Sequence, residues 1–472
     1  MKRTDSSLPI IDGLNAQNRN ILGAVIGNVL EWYDFAVFGY FASTIGTCFF
    51  PLNNKTASLI SAFGVFAVAY FMRPIGGALF GHMGDKIGRK QALQMSVLLM
   101  AVPTFAIGIL PTWDQAGIMA PILLILMRMI QGLSVGGELI GSISFLTEIA
   151  PEGKKGKYGS WAECSSLGGI MLGSFVVMIL HFCMDPLSLN DWGWRLPFMA
   201  GLLIGLFGLW MRSNLEETET FTEMKNKEGL ASHPLGEVFK NNKGLVLHLV
   251  ALVMLPGGGF YLLYVWWPTM MTELHIPPIE YAMLSNTLSM LFLLVLIPFA
   301  GKLSDAVGRK KVLVFGALGI ALVAHPLFVI VQQGSFFSAL FSQLVFAIFM
   351  SFFLGPIPAT MSELFPANIR FSGSAIGYNI SLALFGGTAP LVSTWLVVNY
   401  GGIPAASYYL IFLSLISLVA TFYLPEHCRK SSSVPETRYE VMFDSLCNNL
   451  LLVLGRIQKK VLSAYKRIFV LD

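Results

Sequence analysis

The chain consists largely of apolar segments of about twenty residues, and this feature limits its possible folds more than any other. A helix of about 20 apolar residues crosses the hydrocarbon core of a bilayer. Charged residues make up only 12% of the 472 residues, whereas soluble proteins contain about 25%. The sequence therefore predicts an all-α integral membrane protein.

The apolar runs predict twelve transmembrane helices. Their predicted bounds are 20–42, 57–80, 91–110, 117–143, 159–184, 195–212, 245–270, 281–300, 312–332, 336–360, 373–398 and 405–424. Lysine and arginine concentrate in alternate connections, such as 81–90 and 150–158, with Lys55 as the clear exception. By the positive-inside rule, both termini are expected in the cytoplasm.

A loop motif with glycines, one aspartate and a basic pair occurs twice, at an offset of 220 residues. The first copy contains Gly81, Asp85, Gly88, Arg89 and Lys90, and the second contains Gly301, Asp305, Gly308, Arg309 and Lys310. Each copy joins the second and third spans of its half, so we predict two pseudo-symmetric halves of six helices. Charges at this boundary can form and break ion pairs as the halves rock, which indicates a cytoplasmic gate. Duplicated bundles of this kind are typical of alternating-access transporters.

The predicted organisation has five parts. A cytoplasmic tail at 1–19 precedes the first bundle at 20–212, and a polar cytoplasmic linker at 213–244 leads to the second bundle at 245–424. The tail at 425–472 is basic and amphipathic. We expect it to lie on the inner leaflet, with a partner-binding helix as the alternative.

Two carboxylates, Glu31 and Asp34, lie in the first apolar span and share one helix face. A charge at the bilayer centre costs about 2.5–3.5 kcal/mol, so such groups need water, a partner or a proton. Arg128 lies inside the fourth span at a depth that matches Asp34, at about 1.5 Å of rise per residue. We therefore predict that Asp34 and Arg128 face one another; snorkelling or pairing elsewhere is the alternative.

Other polar residues within the spans are weaker candidates for a binding site. Gln131 and Glu138 follow Arg128 along the fourth span, and Glu163 lies beside small residues in the fifth. Glu138 could instead fix a loop at the membrane boundary, and the small residues near Glu163 favour helix packing. Arg73 is interpreted as a structural residue near the cytoplasmic end of the second span.

The seventh span is interrupted at 256–259 by a proline and three glycines. Interrupted helices often line transport sites, and Tyr261 and Tyr264 could offer π-faces to a cationic group. Trp266 and Trp267 are expected in the aromatic belt at the membrane interface.

Enzymatic and nucleic-acid functions are not indicated. The sequence contains no histidine-rich metal cluster, nucleophile motif or phosphate-binding loop, and no basic stripe with interleaved aromatics. We expect no metal, no cofactor and no nucleic-acid partner.

Five motifs resemble the metabolite:proton symporter family of the major facilitator superfamily, over residues 18–424. They are GNxxEWYDF at 27–35, RPxGG at 73–77, the loop at 81–90, QGxSxGGE at 131–138 and DWGWRxPF at 191–198. The greatest similarity is to the proline/glycine betaine osmolyte symporters. The resemblance implies the major facilitator fold and uptake of a small polar metabolite together with protons, driven by the proton gradient.

On this basis we assign roles to candidate residues. Asp34, with Glu31 as a helper, is expected to carry the proton. Arg128 is expected to hold Asp34 ionised when the site is empty and to bind a substrate carboxylate when it is occupied. The candidate substrate-binding residues are Asn28, Tyr33, Arg128, Gln131, Glu138, Glu163, Tyr261, Tyr264 and Asn379.

The expected setting is the cytoplasmic membrane of a bacterium, with the protein as a monomer. The alternatives are a proton-coupled permease for organic acids such as α-ketoglutarate, citrate or shikimate, an uncoupled facilitator, and a sensor that does not transport.

Overall fold

A computed structural model describes residues 28–424, except positions 30, 53, 87–88, 214–237, 239, 241 and 366–369. The predicted tails at 1–19 and 425–472 and most of the linker at 213–244 lie outside the described residues. Within the described part, the secondary structure is helical and contains no strand.

The N-terminal half contributes six spans. The first consists of residues 31–40 and Ala42–Phe49, the second of Lys55–Lys86 and the third of Arg89–Ile109. The fourth consists of Met119–Ser134 and Glu138–Glu148, the fifth of Lys155–Cys183 and the sixth of Arg195–Ser213. Short helices at Trp113–Ala116 and Pro186–Ser188 and a π-helical turn at Leu189–Gly193 lie in the connections.

The C-terminal half repeats this arrangement. The seventh span begins with Lys243–Leu252 and continues to Leu274, the eighth is Ala282–Val307 and the ninth is Arg309–Val331. The tenth consists of Phe336–Leu354 and Ile357–Leu364. The eleventh runs from Arg370–Ser381 through Leu382–Gly386 to Ala389–Asn399, and the twelfth is Ala405–Phe422. Nine helices of the described part are long and apolar enough to cross a membrane. With the first span and the shorter apolar helices Met95–Ile109 and Arg195–Phe207, they account for the twelve predicted spans.

Several helices are longer than their apolar runs. The second span extends to Lys55–Lys86 instead of 57–80, and the first continues beyond 42 to Phe49. Phe41 N donates to Val37 O at 3.0 Å and Ile45 N donates to Phe41 O at 2.9 Å, which keeps the first span continuous. Hydropathy detects only the lipid-embedded part of a helix, so polar end turns escape it.

The predicted interruption of the seventh span is a series of π-helical turns. These turns cover Leu255–Gly259, Tyr261–Trp266 and Met270–Leu274. Pro256 has no N–H to donate to the ladder, and π-turns are frequent at functional sites. The interruption places backbone carbonyl groups of this span within reach of side chains from neighbouring spans.

Glycines allow the second and fourth spans to cross with their backbones in contact. A Cβ atom added at Gly76 would overlap the carbonyl oxygen of Leu133, and one added at Gly132 would overlap that of Ala69. This close crossing fixes the position of the fourth span, and therefore of Arg128, relative to the rest of the half.

The halves meet chiefly along the fifth and eighth spans. The hydroxyl groups of Ser174 and Thr287 lie 2.7 Å apart across this boundary. At the N-terminal end of the fifth-span helix, Gly156 and Gly301 are packed so closely that a Cβ at Gly301 would lie 2.6 Å from Gly156 O. The two bundles are thus in direct contact over much of the membrane depth.

We predict that Gly76→Ala lowers the free energy of unfolding in detergent by about 1–3 kcal/mol, because the added methyl group overpacks the crossing. Gly64→Ala in the same span is the matched control, since a Cβ there meets nothing within 4 Å. The control should be neutral or stabilising by up to about 1 kcal/mol. Equal destabilisation of the two variants would contradict the proposed role of the crossing.

Candidate functional site

Asp34 and Arg128 form a buried ion pair in the N-terminal half. Arg128 Nη1 lies 3.2 Å from Asp34 Oδ2, and the two side chains are 0% and 3% exposed. Gln131 Nε2 donates to the same carboxylate oxygen at 2.8 Å, and Arg128 Nη1 donates to Gln131 Oε1 at 2.8 Å. The fourth span therefore supplies both partners of the first-span carboxylate.

Aromatic rings enclose the Arg128 guanidinium. Its central carbon lies 4.6 Å from the ring centre of Phe35 and 4.3 Å from that of Phe38. Arg128 Nε and Nη2 have no hydrogen-bond partner in the described part of the chain. In this apolar enclosure, the attraction between Asp34 and Arg128 is what compensates for their lost hydration.

Glu31 belongs to a second buried pair. Its Oε1 lies 3.5 Å from Arg73 Nη2, with side-chain exposures of 2% and 1%. Arg73 Nε donates to Asn379 Oδ1 of the C-terminal half at 3.1 Å. Asn379 Nδ2 in turn donates to Gly136 O at 2.5 Å. Arg73, interpreted from the sequence as merely structural, thus lies in a polar cluster that joins the two halves.

A small cavity lies between the halves near these pairs. Trp32, Glu163 and Ser166 line it from the N-terminal half, and Tyr261 and Tyr378 line it from the C-terminal half. Its volume is about 30 Å³, room for little more than a water molecule or two. Of the predicted substrate-binding residues, the structure brings Glu163 and Tyr261 to this cavity.

Glu163 has no ion-pair or hydrogen-bond partner among the described residues. It is therefore a carboxylate that faces a cavity with aromatic walls and without a neighbouring cation. Such a site is electrostatically suited to a positively charged group, which also gains from the π-faces of Trp32 and Tyr261.

A second pocket, also of about 30 Å³, lies inside the N-terminal half. It is lined by Glu31, Tyr33, Asp34 and Glu138, and by the hydroxyl-bearing residues Ser96, Thr104 and Ser134. Glu138, a candidate for substrate binding, therefore lies with the carboxylates of the first span and away from the cavity between the halves.

Four further candidates serve other contacts in this structure. Asn28 Nδ2 donates to Ser165 Oγ at 3.1 Å, and the Tyr33 hydroxyl donates to Pro197 O at 3.2 Å. Gln131 binds Asp34, and Asn379 binds Arg73. None of the four lines the cavity between the halves.

Tyr264 participates through its backbone. Its carbonyl oxygen accepts hydrogen bonds from the Tyr40 hydroxyl and from Asn286 Nδ2, each at 3.0 Å. Asn286 Oδ1 accepts from Gln343 Nε2 at 2.8 Å. The π-helical seventh span is thus held by side-chain amides of the eighth and tenth spans, and by a tyrosine of the other half.

The expectation that Trp266 and Trp267 lie in the interfacial belt is wrong. Both are fully buried; Trp266 Nε1 donates to Thr394 Oγ1 at 2.8 Å, and Trp267 packs on Phe328 at 4.9 Å between ring centres. The irregular seventh span turns both rings into the C-terminal bundle, an orientation that hydropathy does not determine.

The second copy of the repeated loop binds the N-terminal half. Asp305 Oδ1 accepts from Gly156 N and Asp305 Oδ2 from Lys157 N, each at 2.8 Å, at the N-terminus of the fifth-span helix. Arg309 Nη1 also binds Asp305, at 2.7 Å, and Arg309 Nη2 lies 3.4 Å from Glu363 Oε1. The carboxylate thereby meets backbone donors at the positive end of a helix dipole.

The other loop residues have different positions. Gly308 adopts φ +94°, which a residue with a side chain rarely tolerates, and Lys310 Nζ donates to Phe422 O at 2.7 Å. The side chains of the first copy, Gly81, Asp85, Gly88, Arg89 and Lys90, lie outside the described residues.

The opposite end of the boundary between the halves is bridged as well. Lys55 Nζ, the exception to the loop-charge pattern, lies 2.7 Å from Glu273 Oε2. Lys55 begins the second span and Glu273 ends the seventh, so this ion pair joins the halves. The halves are therefore in contact at both ends of their boundary.

Comparisons with known proteins agree with this architecture. The family model described as "Sugar (and other) transporter" matches residues 20–246, and that described as "Major Facilitator Superfamily" matches residues 249–469. The glycine betaine/proline/ectoine/pipecolic acid transporter OusA of Dickeya dadantii is 34% identical over 420 residues, which cover 87% of this chain and 83% of OusA. The chain belongs to the major facilitator superfamily. The proline/betaine transporter of Escherichia coli K12 is also 34% identical, over 84% of this chain and 81% of that protein.

Solved structures of the superfamily share the fold. The xylose transporter XylE of E. coli, in a partially occluded inward-open conformation, matches with a TM-score of 0.70 at 19% identity, over 88% of this chain and 99% of XylE. A D-xylose-proton symporter matches with a TM-score of 0.69 at 22% identity, over 89% and 100% of the two chains. The predicted fold of two six-helix halves is thereby confirmed. The family models and the relatives of 34% identity confirm the prediction of a transporter instead of an enzyme.

Some residues of the site were not identified from the sequence. Thr104 accepts from Gln131 Nε2 at 2.8 Å, and Tyr40, Asn286 and Gln343 form the network around Tyr264. Each is an uncharged polar residue in an apolar span, a signal that many residues with a packing role share.

We predict that Arg128→Gln lowers the free energy of unfolding by about 3–5 kcal/mol, because it leaves the Asp34 charge buried without its partner. The double variant Asp34→Asn/Arg128→Gln should recover much of this loss. A double-mutant cycle of unfolding in detergent measures the coupling, and strictly additive losses would contradict it.

We predict that Asp305→Ala opens the end of the boundary between the halves that carries the second loop copy, because the fifth-span helix loses its carboxylate cap. The readout is labelling of Ser166→Cys from that side of the membrane by an impermeant thiol reagent, in a background without the native cysteines. Asp305→Asn keeps one acceptor oxygen and should label at an intermediate rate. Unchanged labelling of the alanine variant would show that this contact does not hold the end closed.

Proposed function

We propose that this protein is a proton-coupled symporter that takes up a small zwitterion of the proline or glycine betaine class by alternating access. The observation that best supports this proposal is the cavity between the halves, where the unpartnered carboxylate of Glu163 faces aromatic side chains from both bundles. The printed names of the relatives, which are transporters of proline and betaine, support the same class of substrate.

The charges of the cavity favour a zwitterion over an organic dianion. Glu163 would attract the ammonium group of the substrate, and Trp32 and Tyr261 would contact its alkyl substituents. A di- or tricarboxylate would instead bring its negative charges against the Glu163 carboxylate.

The proton site in this proposal is Asp34. Proton binding would neutralise the carboxylate and weaken its pairing with Arg128, which lies 3.2 Å away. Asp34 and Trp32 lie two residues apart on the first span, so a shift of this span on protonation would reach the cavity wall directly. The polar pocket that Asp34 shares with Glu138 would give the proton a route separate from that of the substrate.

Alternating access would exchange the contacts at the two ends. Release of the Lys55–Glu273 ion pair would open the outer end, and release of Asp305 from Gly156 and Lys157 would open the inner end. The exposed outer pair can dissociate at small cost, whereas the inner contact is charge-assisted and partly buried.

The proposal includes the setting of the protein. It would be a multi-pass monomer of a bacterial cytoplasmic membrane, with both termini inside and the proton gradient as its energy source. No cofactor is required for this mechanism.

We predict that Asp34→Asn abolishes accumulation of glycine betaine or proline in proteoliposomes under an imposed proton gradient, because position 34 can no longer exchange a proton. Exchange of labelled for unlabelled substrate without a gradient should persist. Asp114→Asn, the same change at an exposed outer position, is the control and should transport normally. Uphill accumulation by Asp34→Asn would refute the assignment of the proton site.

A further inference from the structure

We propose that Arg73 binds the carboxylate of the substrate, so that a zwitterion is held between Glu163 and Arg73. This inference rests on the proposed function. It assigns the anionic end of the ligand to a residue interpreted from the sequence as structural, and it replaces Arg128 in that role.

The need for such a residue follows from the composition of the cavity. Its wall contains Glu163 for a cationic group, but no lysine or arginine among the described lining residues. A carboxylate that leaves water requires hydrogen-bond donors, and arginine supplies them in a planar fork. The partner must therefore lie just behind the wall.

Arg128 is poorly placed to be that partner. Its Nη1 is engaged by Asp34 at 3.2 Å and by Gln131 at 2.8 Å. Its Nε and Nη2 have no hydrogen-bond partner in the described part of the chain, but the rings of Phe35 and Phe38 cover the guanidinium. It lines neither the cavity between the halves nor the pocket inside the N-terminal half.

Arg73 lies directly behind the aromatic wall. Its guanidinium carbon is 5.4 Å from the ring centre of Trp32 and 5.3 Å from that of Tyr70. Trp32 lines the cavity, and the Tyr70 hydroxyl is hydrogen-bonded to the hydroxyl of Tyr261, which lines it too. Arg73 is thus in contact with one ring of the cavity wall, Trp32, and with the hydrogen-bond partner of a second, Tyr261.

The guanidinium of Arg73 also has unused donors. Nη1 is buried without a hydrogen-bond partner in the described part of the chain, and the contact of Nη2 with Glu31 is long, at 3.5 Å. A carboxylate would therefore satisfy a group that already lacks water, at little additional cost of desolvation.

Access requires the wall to move, because a cavity of about 30 Å³ does not hold an amino acid. Trp32 and Tyr261 belong to different halves, so the motion that opens the cavity also separates these two rings. A carboxylate that reaches Arg73 would compete with Asn379, whose Oδ1 now accepts from Arg73 Nε at 3.1 Å. Substrate binding would thereby loosen a polar link between the halves.

The test compares glycine betaine with choline, which has the same trimethylammonium group and no carboxylate. Dissociation constants are measured by calorimetry on the purified full-length protein. The wild type should prefer glycine betaine at least tenfold. In Arg73→Gln the affinity for glycine betaine should fall at least tenfold while that for choline stays within about twofold, and Arg73→Lys should recover part of the loss.

Arg195→Gln is the matched control. Arg195 is a sixth-span arginine that donates to the backbone carbonyls of Gly108 and Leu110 and lies outside the cavity wall. Its variant should keep the wild-type preference.

Three outcomes would overturn the assignment of Arg73. They are an unchanged preference in Arg73→Gln, parallel loss of both ligands, which would make the residue structural, and no recovery of glycine betaine affinity in Arg73→Lys when thermal unfolding shows that variant to be folded. Absence of glycine betaine and proline binding in the wild type would instead refute the proposed function.

Discussion

A carboxylate in the apolar interior of a membrane needs a partner, and this requirement organises the N-terminal half. One turn of the first span carries Glu31 and Asp34, and each is matched by an arginine, Arg73 from the second span and Arg128 from the fourth. Because an unpaired buried charge is costly, these pairings fix how the three spans are rotated against one another. The glycine crossing between the second and fourth spans then holds both arginines at the correct separation.

The same helical turn connects three environments. Glu31 belongs to the cluster that reaches the C-terminal half, Trp32 to the wall of the cavity, and Asp34 to the ion pair deep in the N-terminal bundle. A rigid helix transmits any rotation to all three side chains at once. In the proposed mechanism, coupling between a proton and a solute therefore needs no long pathway, since the relevant groups are neighbours in sequence.

The sequence predicts well how deep a residue lies in the membrane, but poorly which way its side chain faces. Hydropathy and loop charge predict the twelve spans, and counting residues along helices places Asp34 level with Arg128. The same counting cannot tell which side of a span faces the other half, so the Arg73–Asn379 contact and the burial of Trp266 were missed. The π-helical turns of the seventh span change the number of residues per turn, so residue spacing does not predict which side chains share a face there.

The contact of Asp305 with the fifth span is made to the main chain. Every amino acid except proline offers the same N–H group at position 157, so Lys157 is free to vary without weakening the closure. Gly156 is constrained for another reason, since a Cβ there would lie 2.5 Å from Gly301 O. Comparisons of related sequences would therefore record the aspartate without a covarying partner in the fifth span, and this one contact between the halves would be invisible to methods that infer contacts from paired substitutions.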